Sequence, residues 1–197
     1  MEDKVKIQER HKHNEPLDFS KGYKTYISKT VTNDLKSFIE NCDTARAVFE
    51  DRFGKKADTT WDYDKYNIFV ITCNSLLFYN LYKELRDFIR DYIGDDRPLW
   101  IQSWLNYHKS DQVLKKHHHS FTYHGYISID PKDTTTVFKN FEIKNLPGQV
   151  YIGPGGKEYE HSVRVDKPYD GNRITLGFDI SPIPNLITLN QGFIPLI

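Results

Sequence analysis

A chain of 197 residues is long enough to bury a hydrophobic core and short enough to form a single domain. Its 27 basic residues balance its 27 acidic residues, which argues against nucleic-acid binding driven by net charge but leaves room for a local basic patch. Cys42 and Cys73 have neither metal-site spacing nor the number needed for a disulfide framework, which indicates a reducing compartment. The sequence has no signal-like or membrane-spanning apolar run, so we expect a cytoplasmic protein without membrane contact.

The first half of the chain predicts helices beside a short strand. Residues 1–20 are polar and contain Pro16, which indicates a loose N-terminal arm. The elements expected next are a strand over residues 23–29, a helix capped by Thr32 that continues over residues 43–53, and a buried strand over residues 67–72. The clearest pattern is an amphipathic helix that begins at Asn74 or Ser75 and ends at Gly94.

From Pro98 onwards the pattern changes to short apolar or alternating runs separated by proline and glycine. The candidate strands are Leu99–Tyr107, Val113–His117, Tyr123–Ile129, Phe141–Ile143, Gln149–Ile152, His161–Val165 and Arg173–Ile180. Helices followed by antiparallel strands predict a mostly β fold with N-terminal support helices, of the jelly-roll or cupin-like double-stranded β-helix type. The expected divisions are an arm over residues 1–20 and a single domain over 21–197, with a helical support layer (21–97), a β-helix core (98–181) and a tail (182–197) that packs back on the body.

Histidines are concentrated in one stretch of the chain. Five of the eight lie between His108 and His124, and three of those are consecutive. Neutral imidazole is the commonest protein ligand for iron, zinc, copper and nickel. Alternate side chains of a strand share a face, so His117 and His119 would form two adjacent ligands of one metal ion. His161, the only histidine after this stretch, is the candidate for the third ligand.

The order of these residues resembles the pattern of the Fe(II)- and 2-oxoglutarate-dependent dioxygenases. In that family a strand carrying His-x-Asp is followed by a distal histidine and then by an arginine on a later strand. Here the pattern maps onto His117-x-His119, His161 and Arg173. The resemblance therefore implies a double-stranded β-helix that holds Fe(II) and 2-oxoglutarate as cofactors.

Neighbouring segments support the resemblance, which covers about residues 99–180. Asn106 and Leu114 lie at offsets that resemble the Asn-x-Tyr and Leu-x-x-His-x-Asp segments of the alkylation-repair branch. The strand that begins at Gly148 resembles the strand and turn before the distal histidine, and the segment that begins at Arg173 resembles the closing Arg-x-x-hydrophobic-x-Phe strand. Phage and marine bacterial members with His-x-His are also similar. The composition, rich in lysine, asparagine and isoleucine, suits a phage protein acting in its host's cytoplasm.

The chain departs from the family pattern at His119, which stands where the family has a carboxylate ligand. Three neutral imidazoles would leave the iron more positively charged than two histidines and one carboxylate. Iron still binds in the three-histidine sites of the thiol dioxygenases, so the resemblance implies His117, His119 and His161 as the metal ligands. An alternative register takes His118 as the ligand and leaves its two neighbours without a role. The offsets of the preceding segments favour the first register.

The resemblance also implies which residues would hold the oxo acid. Arg173 would bind the distal carboxylate of 2-oxoglutarate, because a planar guanidinium forms two parallel charge-assisted bonds. Thr175, on the same face of the strand, would add a hydroxyl donor. Tyr107, His108 and Tyr126 are candidates to orient the oxo acid, and ordinary core packing is the alternative for each of them.

The implied function is hydroxylation of an unidentified substrate, either a peptidyl side chain such as proline or a small molecule. Two alternatives stay open. One is a cupin-like three-histidine metalloprotein or oxygenase that does not use 2-oxoglutarate, and Arg173 argues against it. The other is a non-catalytic β-sandwich binding module whose histidines are incidental. The residues specify neither the substrate nor the oligomeric state.

Overall fold

The structure is a computed structural model that describes residues 16–54, 56–62, 67–72, 75–112, 114–182 and 192–197. Most of the expected N-terminal arm, Cys73 and most of the expected C-terminal tail lie outside these residues. None of the described helices has the length and apolar character needed to cross a membrane.

Four α-helices precede the first long strand in the described part of the chain. They are α1 (Lys29–Asn33), α2 (Leu35–Phe53), α3 (Ile68–Thr72) and α4 (Leu76–Ile93). The side chains of Ser28 and Asp34 cap α1 and α2, and Gly54 and Gly94 end α2 and α4 in the left-handed conformation that glycine adopts without steric cost. The amphipathic helix predicted up to Gly94 is confirmed as α4. The helix predicted to begin after Thr32 is α2, and its cap is Asp34, while Thr32 lies within the short helix α1.

The buried strand predicted over residues 67–72 is wrong, because this segment contains helix α3. A short apolar run has no periodicity that distinguishes a strand from a buried helix. Side-chain hydrogen bonds favour the helix here. The Asn67 side chain accepts the N–H of Phe69, and the Thr72 hydroxyl donates to the carbonyl of Ile68.

The described strands form two antiparallel sheets. They are β1 (Lys24–Ile27), β2 (Trp100–His108), β3 (Tyr123–Asp130), β4 (Thr134–Phe138), β5 (Glu142–Lys144), β6 (Gln149–Pro154), β7 (His161–Val165), β8 (Arg173–Ser181) and β9 (Ile194–Pro195). The larger sheet has the order β1-β6-β3-β8-β2-β9 and the smaller sheet has the order β5-β4-β7. The prediction of a mostly β fold with N-terminal helices is therefore confirmed.

Strand β8 divides the interior into two environments. It pairs with β3 on one side and β2 on the other, and its alternate residues face opposite ways. Leu176 and Phe178 belong to the hydrophobic core that the large sheet shares with the helices. Arg173 and Thr175 face the other way and line a cavity to which β4 and β7 of the smaller sheet also contribute. The helices therefore support the large sheet from behind, while the cavity lies between the two sheets.

Candidate metal centre

The connection between β2 and β3 brings the paired histidines to the start of β7. The strand predicted over residues 113–117 is not regular in its described part, residues 114–117, where a single antiparallel bridge joins His117 to His161. The His117 N–H donates to the His161 carbonyl over 2.9 Å, and the His161 N–H donates back over 2.8 Å. These two backbone hydrogen bonds therefore hold His117 and His161 side by side, although the two candidate ligands are distant in sequence.

The glycine-rich turn after β6 holds the rest of this connection. The Gly156 N–H donates to the His119 carbonyl, and the Gly155 N–H donates to the Thr122 carbonyl. A Cβ atom at Gly155 would lie 1.9 Å from the carbonyl oxygen of Phe121, so only glycine allows the two backbones to approach so closely. This turn therefore helps to position the histidine segment.

Three histidines converge in this region. One ligand atom from each of His117, His119 and His161 lies within 4.8 Å of the others. The ring centroids of His117 and His161 are 4.4 Å apart, and those of His119 and His161 are 5.6 Å apart. His118 neither joins this group nor lines the cavity in the described residues. This geometry corresponds to the register in which His117 and His119, rather than His118, are the candidate ligands.

Hydrogen bonds orient the rings of His117 and His161. The Nδ1 atom of His117 lies 2.9 Å from the carbonyl oxygen of Lys115, and the Nδ1 atom of His161 lies 3.1 Å from that of Tyr159. A carbonyl only accepts hydrogen bonds, so the hydrogen-bonding pattern assigns the proton to Nδ1 in both rings. The Nε2 lone pair of each ring is then available to a metal ion, in the manner of histidine ligands held by an outer hydrogen bond.

His119 is oriented by a side chain from the large sheet. Its Nδ1 atom lies 2.7 Å from Oδ1 of Asp179 on β8, whose side chain is 2% exposed. A carboxylate accepts the Nδ1 hydrogen as a carbonyl does, and leaves Nε2 of His119 available as well. The three rings therefore share one tautomer, and each Nδ1 atom faces an oxygen acceptor.

Burial keeps the imidazoles of His117 and His161 neutral near pH 7. Burial, followed by the proximity of His119, lowers the pKa of His117 to about 4. Burial and the proximity of His117 and His119 hold the pKa of His161 well below its usual value. Neutral imidazoles do not have to release a proton before they bind a metal, and three of them suit a first-row transition metal such as iron or zinc.

A cavity of about 270 Å³ lies beside this cluster, and one of the side chains that line it is a buried arginine. Arg173, at the start of β8, is only 4% exposed, and its Nε atom makes no hydrogen bond to the described residues. Burial lowers the pKa of Arg173, and the described groups that oppose this shift are the phenols of Tyr126 and Tyr169 rather than a carboxylate. Arginine keeps its charge in proteins, so this guanidinium can receive an anion that enters the cavity.

Two of the predicted oxo-acid contacts line the same cavity. Thr175 is buried and accepts a hydrogen bond from the Asn106 amide over 3.3 Å. Tyr126 is also buried, and its hydroxyl makes no hydrogen bond of normal geometry to the described residues. Burial raises the pKa of Tyr126 to about 12, so the hydroxyl remains a donor. Both side chains can therefore donate a hydrogen bond within the cavity.

The other two predicted contacts do not line the cavity. His108 pairs with Arg173 in the β2–β8 register, and burial together with that charge lowers its pKa to about 4. Tyr107 belongs to the core on the helix side of the sheet, where the guanidinium of Arg46 lies 4.4 Å from its ring centroid. The structure corrects the expectation for Tyr107, because adjacent residues of a strand face opposite sides and Asn106 is the one that faces the cavity.

Sequence reasoning did not identify two further groups at this site. His124 on β3 is fully buried and stacks on His119 with ring centroids 4.4 Å apart and an angle of 10° between the planes. Neither of its ring nitrogens makes a hydrogen bond of normal geometry to the described residues. Asp179 is the second. Strand alternation was the available signal, because His124 shares a face with Tyr126 and Asp179 shares a face with Arg173.

In fold, the chain resembles the Fe(II)- and 2-oxoglutarate-dependent oxygenases, as the sequence motif predicted. One solved structure that it matches is a truncated form of a viral collagen prolyl hydroxylase from Paramecium bursaria Chlorella virus 1. The sequences are 14% identical, the match covers 87% of this chain and 96% of the other, and the TM-score is 0.55.

A second match is HygX from Streptomyces hygroscopicus, which has been solved with iron bound and with nickel and 2-oxoglutarate bound. The iron-bound structure is 13% identical to this chain, covers 83% of each chain and has a TM-score of 0.53. At such identities the likeness establishes the fold alone. No protein-family model matches the chain, and no curated protein matches it in sequence.

Proposed function

We propose that the protein is an Fe(II)- and 2-oxoglutarate-dependent oxygenase. The observation that carries this proposal is the presence of buried Arg173 in the same cavity as the three histidines. A buried charge that no carboxylate of the described residues offsets is unstable, so the site is suited to an anion that neutralises it. A short dicarboxylate with a keto group at one end satisfies both features, since it can chelate a metal at that end and meet Arg173 with the other carboxylate.

The proposed domain organisation follows from the same fold. The two facing sheets would form the double-stranded β-helix, with its core over residues 98–181 and the helical support layer over residues 21–97. Strand β1 of the support layer pairs with β6, and β9 from the end of the chain pairs with β2, so both flanking segments extend the larger sheet. This arrangement supports a single domain.

The proposed ligands are distributed over three parts of the fold. His117, His119 and His161 would hold the iron through their Nε2 atoms, and Arg173 would pair with the distal carboxylate of the oxo acid. Thr175 and Tyr126 would help to position the oxo acid. His108, which does not line the cavity, would contribute from a greater distance. When bound, iron and oxo acid would together activate molecular oxygen, which is the oxidant, while the protein supplies orientation and an enclosed site.

Aromatic side chains form the wall of the cavity near His119. Trp61 and Trp104 meet edge to face with centroids 4.5 Å apart, and the rings of Trp104 and His119 are stacked at 6.0 Å with an angle of 21° between their planes. Such a wall excludes water and offers an apolar surface to a substrate. We propose a peptidyl side chain such as proline, or a small molecule, as the substrate. The likeness in fold to a collagen prolyl hydroxylase supports the first of these by analogy.

The test is an anaerobic titration of the metal-free protein with Fe(II) and then 2-oxoglutarate, followed through the weak visible absorption of the iron–oxo acid chelate. We expect Arg173→Ala to require an oxo-acid concentration roughly 10- to 100-fold higher, because a hydrogen bond to a charged group contributes about 1.5–3 kcal/mol. Arg173→Lys should fall between the two, since it keeps the charge but loses the two-pronged geometry. Arg164→Ala is the matched control, because Arg164 is an exposed arginine that pairs with Glu142 and Asp166.

A second candidate function is a three-histidine metalloprotein or oxygenase that does not use 2-oxoglutarate. His119 favours it, because it replaces the carboxylate of the oxygenase pattern. In the same titration this protein would bind iron but show no chelate absorption, and Arg173→Ala would behave as the wild type. Failure to bind any metal would contradict both functions and leave a non-catalytic binding module.

A further inference from the structure

The three-histidine cluster lacks a negative charge of its own. A carboxylate ligand would offset part of the charge of a divalent cation, whereas three neutral imidazoles offset none of it. A negative charge close behind one of the rings would have a related effect, because the interior screens charges less than water does. Asp179 is a side chain that meets this condition.

Strand β8 places Asp179 at this position. Residues 173, 175, 177 and 179 share the face of β8 that is directed away from the helices, and the first three line the cavity. Gly177 leaves room for the neighbouring tryptophan, since a Cβ atom there would lie 2.7 Å from the ring of Trp104. One strand therefore presents Arg173 to the proposed anion site and Asp179 to the proposed metal ligand His119.

The contact has the geometry of a charge-assisted hydrogen bond. The distance from Oδ1 of Asp179 to Nδ1 of His119 is 2.7 Å, and both side chains are largely buried. The other two histidines are held by backbone carbonyls, which carry no net charge. Among the three proposed ligands, His119 is thus distinguished by an acidic partner, and it occupies the position where the family resemblance leads one to expect an acidic ligand.

We infer that Asp179 is a positioning residue for the metal centre. Its carboxylate fixes the ring of His119 and, through that ring, supplies the site with the negative charge that the three ligands lack. This inference rests on the proposed metal-binding function. A carboxylate that accepts the Nδ1 hydrogen makes the imidazole a stronger donor at Nε2, and loss of such a partner typically weakens metal binding about 10- to 100-fold.

The test uses Co(II) alone, without oxo acid, added to the full-length metal-free protein and followed by its visible d–d absorption. We expect Asp179→Ala to weaken Co(II) binding about 10- to 100-fold. Asp179→Asn should weaken it less, because the amide oxygen still accepts the Nδ1 hydrogen. At saturation its d–d bands should also shift, since the donor strength of His119 has changed. Asp166→Asn removes the same charge from a carboxylate that pairs with Lys144 and Arg164, and should bind Co(II) as the wild type does.

A double-mutant cycle separates this role from a general electrostatic or structural effect. If Asp179 acts through His119, Asp179→Asn should have no further effect on Co(II) affinity in a His119→Ala background. An equal loss in both backgrounds would overturn the inference. Thermal unfolding of each metal-free variant shows whether it is folded, and Asp179→Asn carries the test if Asp179→Ala is not.

The inference and the function on which it rests fail in different ways. If both Asp179 variants keep the Co(II) affinity and the spectrum of the wild type, the inference is overturned. If His161→Ala nevertheless loses Co(II) binding, the proposal of a metal centre stands without it. Absence of Co(II) binding by the wild type would overturn both.

Discussion

The two faces of strand β8 differ in how completely their side chains are satisfied. Leu176 and Phe178 are fully buried in a core of apolar side chains from the helices and the large sheet. On the opposite face, Arg173 and Asp179 are equally hidden from solvent but carry charge, and Arg173 retains an Nε atom without a partner in the described residues. One face thus stabilises the fold. The other face buries charge, which lowers the stability of the fold and is expected where a ligand binds.

This comparison predicts that substitutions on the two faces affect different properties. On the helix side, Phe178→Ala should lower the free energy of unfolding by about 3–5 kcal/mol, because it leaves a cavity in a packed core. Chemical denaturation of the metal-free protein measures this effect. Leu146→Ala, at a half-exposed position, is the control and should change the value by less than about 0.5 kcal/mol. A loss of similar size in the control would remove the distinction between core and surface.

On the cavity side, His161→Ala should abolish tight metal binding with little change in stability. The loss should exceed the roughly 100-fold that removal of an outer partner causes, because a ligand itself is removed. Calorimetric titration with Co(II) gives the affinity. His118→Ala is a matched control, since the same residue type is removed beside the cluster but outside it. Equal losses in the two variants would contradict the assignment of the ligands.

The glycine-rich turn links the two effects, because it is a backbone feature on which the metal cluster depends. Gly155→Ala should force the turn away from the Phe121 carbonyl and cost about 1–3 kcal/mol of stability, with a parallel loss of Co(II) affinity. Gly171→Ala, by contrast, places a side chain at a positive φ, but nothing lies within 4 Å of its Cβ. It should therefore lower stability alone, and unchanged metal affinity in Gly155→Ala would show that the turn does not support the histidines.

A further expected effect is a pH dependence of the stability of the metal-free protein. Burial lowers the pKa of His108 and of His117 to about 4 in the folded protein, against about 6.5 in an unfolded chain. Between these values the unfolded chain binds more protons, so stability should be fully present above about pH 6.5 and fall as the pH decreases towards about 4. Urea unfolding at about pH 7.5 and about pH 5 measures the difference. His108→Gln should reduce this difference, and equal stability of the wild type at both values would contradict it.

Periodic patterns in the sequence predicted the elements that carry a strong one. Helix α4 follows from the recurrence of apolar residues up to Gly94, and β8 from the run that begins at Arg173. The segment over residues 67–72 lacked such a signal, because a short apolar run suits either a strand or a helix. Its side-chain hydrogen bonds are a property of the folded chain.

The candidate site was predictable to the extent that it follows from alternation. The pairing of His117 with His119, and the shared face of Arg173 and Thr175, were both predicted from the alternation of side chains along an extended backbone. The same rule, applied from Asn106, would have directed Tyr107 away from the cavity. The contact between His119 and Asp179 depends on two segments 60 residues apart, and no local pattern specifies such a meeting.

A crystal structure of the protein prepared without oxygen, in the presence of Mn(II) and 2-oxoglutarate, would test the central claim most directly. We expect an anomalous-scattering peak that marks a Mn(II) ion bound by the Nε2 atoms of His117, His119 and His161. The distal carboxylate of the oxo acid should pair with Arg173. A metal bound elsewhere, or an oxo acid that leaves Arg173 without a partner, would contradict it.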